Sequence, residues 1–74
     1  MNKKSELFNI WYNTVDTIVI PNMQQNYFYL GSELSKGALV DIICGDNNRV
    51  CFVWQKTDGT RELYKEWCSR GSNG

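Results

Sequence analysis

Apolar and polar residues alternate most cleanly between Arg49 and Cys68, RVCFVWQKTDGTRELYKEWC. Two such segments flank Asp58-Gly59, a pair that suits the left-handed backbone of a tight hairpin turn. The pattern predicts strands over Arg49–Lys56 and Thr60–Trp67, with Trp54 facing Leu63 and Val50 facing Trp67. Val50, Phe52, Trp54, Leu63 and Trp67 then make a core face. Cys51, Val53, Gln55, Glu62, Tyr64 and Glu66 make a half-polar one. Arg61 to Arg70 also carries helical spacing, with Leu63, Tyr64, Trp67 and Cys68 on one side. The strand is preferred because the turn signal immediately precedes it.

Ser5 to Thr14, SELFNIWYNT, reads as a short helix. Ser5 is its N-cap, Glu6 lies in its first turn, and Leu7, Phe8 and Trp11 form an apolar stripe. A helix of three turns or fewer does not stand alone, so the stripe is expected to cover the core. Asp16 to Ile20 is rich in β-branched residues and reads as a strand ended by Pro21. Residues 22–26 read as a loop and Tyr27 to Leu30 as a second strand, with Tyr27 and Tyr29 on one side. Gly31 to Gly37 is a connector with room for one helical turn. Ala38 to Cys44 is a third strand, apolar except at Asp41. Residues 45–48 form a turn by composition, and residues 69–74 a disordered polar tail.

The 74 residues suffice for one domain, taken as residues 1–68. A chain of this length buries only about 60% of the surface its unfolded form exposes. Three Trp, four Tyr and three Phe supply the compensating apolar area. The predicted fold class is α+β, mostly antiparallel β: a short N-terminal helix packed on a small five-stranded SH3-like barrel or curled sheet. Eight basic and eight acidic residues cancel, which argues against a strongly basic nucleic-acid grip and against an acidic nucleic-acid mimic. With no histidine and no paired CxxC spacing, no metal or other cofactor is expected. The apolar runs are too short to cross a bilayer. Three cysteines and no leader pattern point to a reducing cytoplasm. A turn tipped by Asn47-Asn48 would set Cys44 opposite Cys51, read as reduced thiols, with Asp46 and Arg49 as an ion pair across the turn.

The segments KGALVDI (36–42), RVCFVW (49–54), DGT (58–60) and ELY (62–64) resemble the small SH3-like barrel modules of bacteria and their mobile elements. The resemblance covers residues 36–67. It implies a small antiparallel barrel whose loops or open edge bind a peptide, a nucleic acid or another protein, and it carries over no functional residue.

No catalytic residue is expected, because no base stands near a nucleophile and the carboxylates are scattered. The candidates are contact residues. Tyr27, Tyr29 and Gln25 form an amphipathic patch of the kind enriched at interfaces. Asp41 is an anomalous charge in an apolar strand, and Tyr64 is a further aromatic contact. The sequence thus predicts a non-enzymatic intracellular module that binds another protein, with a homodimer as one form. Asparagine abundance and a single alanine fit AT-rich coding, hence a phage or mobile-element inhibitor of a host or defence protein. The alternative is a nucleic-acid-binding barrel face of Tyr27, Tyr29, Tyr64, Lys56, Arg49 and Arg61.

Overall fold

The computed structural model describes residues 1–5 and 7–71. Two antiparallel sheets and two helices make an α+β fold. A two-stranded ribbon comes first, β1 (Asn2–Lys4) and β2 (Trp11–Asn13). Then follow β3 (Thr17–Ile20), α1 (Met23–Leu30), β4 (Leu39–Cys44), β5 (Val50–Gln55) and α2 (Asp58–Gly71). The main sheet has the order β3-β5-β4, with β5 antiparallel to both neighbours. β3 and β4 therefore run parallel, connected through α1, with β5 inserted between them: a split β-α-β unit. The sheet is open, not the closed barrel that the strand count suggested.

Strand register sorts the core. Ile18, Ile20, Leu39, Phe52 and Trp54 share one face. There α1 and α2 cover them, in a cluster built on Ile20, Tyr29, Ala38, Trp54 and Leu63. Val53 and Cys51 point the other way. On that side Tyr12 of β2 packs with Val40 and Val53. Helices, sheet and ribbon thus form three layers around a central β5. A strand covered on both faces has no polar side, which is why Cys51 and Val53 are buried where a half-polar face was expected, while Val50 near the strand's end is exposed.

Capping decides where the helices lie. The Asn22 side chain accepts the N–H groups of Gln24 and Gln25 at 2.9 and 3.2 Å, so a helix begins directly after Pro21. It absorbs the expected loop 22–26 and the expected strand Tyr27–Leu30, and ends as the Gly31 N–H donates to the Tyr27 carbonyl. At α2, Thr57 Oγ1 accepts the Thr60 N–H at 3.0 Å and Thr60 Oγ1 accepts the Thr57 N–H at 2.8 Å. This reciprocal cap has threonine where a capping box usually has Glu or Gln, and it turns Asp58-Gly59 into the first turn of a helix instead of a hairpin. The helical alternative for residues 61–70 is the one realised. It runs through Ser69 and Arg70 to Gly71, where the tail was expected to have begun; residues 72–74 of that tail lie outside the described residues.

Two further expectations are corrected. Among the described residues of 5–14 there is no α-helix; Thr14 only opens a short 3-10 turn, Thr14–Asp16. Ser5 Oγ accepts the Phe8 N–H at 3.1 Å and the Ser5 N–H donates to the Ile10 carbonyl at 2.7 Å. With Asn9 at φ 57, a single capped turn becomes the bend of a ribbon, and Leu7, Phe8 and Trp11 stay exposed instead of covering the core. Glu6 lies outside the described residues. At the other hairpin the pairs are Cys44–Val50 and Ile43–Cys51, one residue out of the expected register. The turn takes in Gly45 to Arg49, with both Asn47 and Asn48 left-handed. Cys44 and Cys51 therefore do not face each other, and the expected Asp46–Arg49 ion pair rests on an Asp46 side chain outside the described set.

Candidate functional site

β3 is a free edge: among the described residues it pairs with β5 alone. Its position is fixed by anchors in the helix layer at the two ends of the sheet. Asn26 in α1 donates from Nδ2 to the Ile20 carbonyl at 2.9 Å and accepts the Trp54 indole N–H at 2.8 Å. That bridge locks the end of β3 to the helix layer and to β5. At α2, Thr60 Oγ1 donates to the Gln55 carbonyl at 2.8 Å, so the first turn of the helix starts hard against the end of β5. Thr60, Arg61 and Tyr64, one turn apart on α2, then face Ile18 and Ile20 of β3 across a groove of about 510 Å³. Pro21 and Gln25 lie beside the end of β3, and Lys56 beside its start, because the Lys56 N–H donates to the Asp16 carbonyl at 2.8 Å.

The groove is apolar on its floor and cationic at its rim. Lys56 Nζ donates to the Val15 carbonyl at 3.0 Å, which settles one donor but leaves the charge unneutralised. Among the described residues neither Lys56 nor Arg61 reaches a carboxylate, and the one ion pair joins Lys65 to Glu62 at 3.8 Å on α2. The Tyr64 phenol is raised above its ordinary value by a hydrogen bond with Cys68 one turn on, and by that thiol's charge when ionised. At neutral pH it is a neutral, half-exposed ring with a polar tip.

The five expected contact residues separate. Gln25 and Tyr64 line the groove. Tyr27, 80% exposed, belongs to a different cleft between α1 and α2, shared with Trp67 and Arg70, where the Arg70 guanidinium sits 4.8 Å from the centre of the Phe28 ring. Tyr29 is fully buried, 5.3 Å from Trp54 between ring centres. A strand would have put it beside Tyr27; a helix turns it inward. Burial pushes its phenol up, opposed by the neighbouring Gln25 side chain.

Asp41 is 3% exposed and is a structural anchor rather than a contact. It sits at a bulge in β4 and accepts the Ser5 hydroxyl at 3.1 Å, the Tyr12 hydroxyl at 3.0 Å and the Ile42 N–H at 2.9 Å. Three donors satisfy a carboxylate that would otherwise not be buried, and two of them tie the ribbon to the sheet. Burial and the Asp41 carboxylate push Tyr12 up to about 12.

Of the residues expected on a nucleic-acid face, Lys56, Arg61 and Tyr64 converge in the groove, while Arg49 belongs to the β4–β5 turn. Ile18, Val19 and Thr60 were not expected at a site. The signal for Ile18 and Val19 in the chain is TIVIP, a β-branched run closed by proline, which is how a sheet edge is written. No cluster of three His, Cys, Asp or Glu that could hold a metal occurs among the described residues, and none of their helices is long and apolar enough to cross a membrane. No family model, curated protein or solved structure matches the chain.

Proposed function

We propose that this chain is a non-enzymatic protein-binding module and that its partner seats in the groove between β3 and α2. The observation that carries this reading is an apolar trough of about 510 Å³ beside the unpaired edge of β3, lined by Gln25, Tyr64 and two cations without a carboxylate partner among the described residues. Its volume falls in the range of sites that enclose a ligand. An exposed tyrosine with an apolar body and a wet hydroxyl is the residue type that anchors protein interfaces.

A second reading, single-stranded nucleic acid, is favoured by the convergence of Lys56, Arg61 and Tyr64 on that groove. Against it stand a net charge of zero and the apolar floor of Ile18 and Ile20.

The test compares affinity capture by the wild-type chain, a Tyr64→Ala variant and a Trp11→Ser variant. A protein retained by wild type and Trp11→Ser but lost from Tyr64→Ala supports the reading. Equal retention by all three refutes it. Tight binding of an oligonucleotide whose affinity falls with salt at a log–log slope of about 0.7 per phosphate selects the nucleic-acid reading instead.

A further inference from the structure

We infer that the occupant of the groove is an extended, acidic peptide segment that adds to β3 as a fourth strand of the main sheet. The inference rests on the groove being the binding site and names what the site takes. It starts from the hydrogen bonds of β3. The Asp16–Lys56 pair is bonded through the Lys56 N–H. In an antiparallel ladder, bonded and non-bonded pairs alternate, so Ile18 and Ile20 direct their backbone groups to β5 while Thr17 and Val19 direct theirs outward. The Thr17 N–H is taken by the Thr14 carbonyl. What remains outward is the Thr17 carbonyl and both the N–H and the carbonyl of Val19. Pro21 has no N–H and closes the edge. The strand thus offers a short, defined set of donors and acceptors beside an apolar trough.

An extended segment answers both features at once. Its backbone pairs with Val19, and alternate side chains fall between Ile18 and Ile20 on one wall and Tyr64 on the other. A helix laid in the same trough would bring no free backbone groups to Val19. Topology points the same way. The order β3-α1-β4-β5-α2 is one element short of the six-element β-α-β-β-α-β arrangement, whose last strand lies beside the first, on the edge in question.

Charge selects the partner. Two cations and no carboxylate line the groove. A second copy adding through its own β3 brings Thr17–Ile20, which carries no acid, its nearest being Asp16 just before the strand, whereas a foreign segment with Asp or Glu at an alternate position sets one against Lys56 and Arg61.

The test uses the full chain and a displayed library of randomised peptides about eight residues long, a little more than a typical strand, screened against wild type and Arg61→Glu. Arg61 is exposed, so the charge reversal leaves the fold intact, as circular dichroism will confirm. Enrichment of alternating apolar residues with Asp or Glu on wild type, and a shift to Lys or Arg on Arg61→Glu, is the expected result. An enriched peptide added to labelled wild-type protein then slows exchange of the Val19 amide by about tenfold or more.

Peptides that perturb Tyr64 without protecting Val19, or that carry no acidic preference, overturn strand addition and leave the binding module standing. Enriched peptides that perturb neither Tyr64 nor Val19 refute the groove itself and both readings with it. Self-association that buries Val19 at millimolar concentration overturns the foreign segment in favour of a second copy.

Discussion

Gly59 sits in the first turn of α2, and its replacement by alanine sets two effects of opposite sign against each other. Helix propensity alone favours the change, by up to about 1 kcal/mol in a helix interior and less in a first turn. Packing opposes it. A Cβ at this position lies 2.0 Å from the Leu34 carbonyl oxygen and 2.9 Å from the carbon that bears it. Both atoms are backbone, so no rotamer change relieves the clash; α2 or the turn Glu33–Ser35 has to move by more than 1 Å. That turn is not free to move, because the Ser35 hydroxyl donates to the Tyr29 carbonyl. Nor is α2, whose Leu63 is buried in the core against Trp54 and Tyr29. Overpacking of this kind costs about 1–3 kcal/mol or more, so the expected net loss is about 2 kcal/mol, a fall in Tm of roughly 8–16 °C for a domain of this size. Gly31 is the control. A Cβ there meets nothing closer than 3.6 Å and the backbone is right-handed, so Gly31→Ala is neutral or stabilising by up to about 1 kcal/mol. Thermal and urea unfolding followed by circular dichroism reads both variants. A Gly59→Ala protein as stable as wild type, or more so, refutes the close approach of α2 to Leu34.

Three other perturbations probe the rest of the molecule. Trp54→Ala removes a side chain 1% exposed and unpairs Asn26, for an expected loss of about 3–5 kcal/mol; near-native melting would show that the Asn26–Trp54 bridge holds nothing. Tyr12→Phe leaves one oxygen of Asp41 without its donor, for about 1–3 kcal/mol. The neutral Tyr12 phenol is favoured in the fold, with its value raised from 10.0 to about 12, so the stability it contributes is complete below pH 10 and is lost as pH rises through 12. The stability gap between wild type and Tyr12→Phe should therefore shrink over that window, and a gap independent of pH refutes the Tyr12–Asp41 bond. Trp11→Ser, at a ring two-thirds exposed, should change stability by no more than about 0.5 kcal/mol; a larger loss would mean that the ribbon packs by its outer face.

What could be read from the chain, and what could not, follows from whether a signal was local or competed with another. Strands 3 to 5 were legible because their β-branched and aromatic runs have no rival reading, and β3 begins within one residue of the expected start. Trp54 was legible as core for the same reason. The helices were hidden by short-range signals that lost. Asp58-Gly59 is a hairpin turn in isolation, but Thr57 and Thr60 cap each other around it and commit the chain to α2. Tyr-Phe-Tyr has strand propensity, but Asn22 captures two amides and starts a helix that carries Tyr29 inward. At Ser5 the capping signal was real and the element it implied was not. The oxygen does accept an amide three residues on, but it also donates to Asp41, thirty-six positions away. No local pattern contains that second partner.

The same distinction explains why the groove was half visible. Gln25 and Tyr64 were picked out by residue type, and they meet only because each lies on a helix, one unread in the chain pattern and the other read there as the less favoured alternative. Once α1 and α2 exist, Asn26 ties the first to the end of β3 and Thr60 ties the second to the end of β5. The trough between Tyr64 and Ile18 is then set by two polar anchors at opposite ends, Asn26 behind its lining and Thr60 within it. Substitutions within the lining, at Tyr64 or Arg61, should accordingly alter what binds while sparing the fold. Substitutions at Asn26 or Thr60 should alter the fold first and binding as its consequence. A Tyr64→Ala protein that unfolds, or an Asn26→Leu protein that keeps full stability yet loses its partner, would reverse that assignment and place the structural anchor in the groove itself.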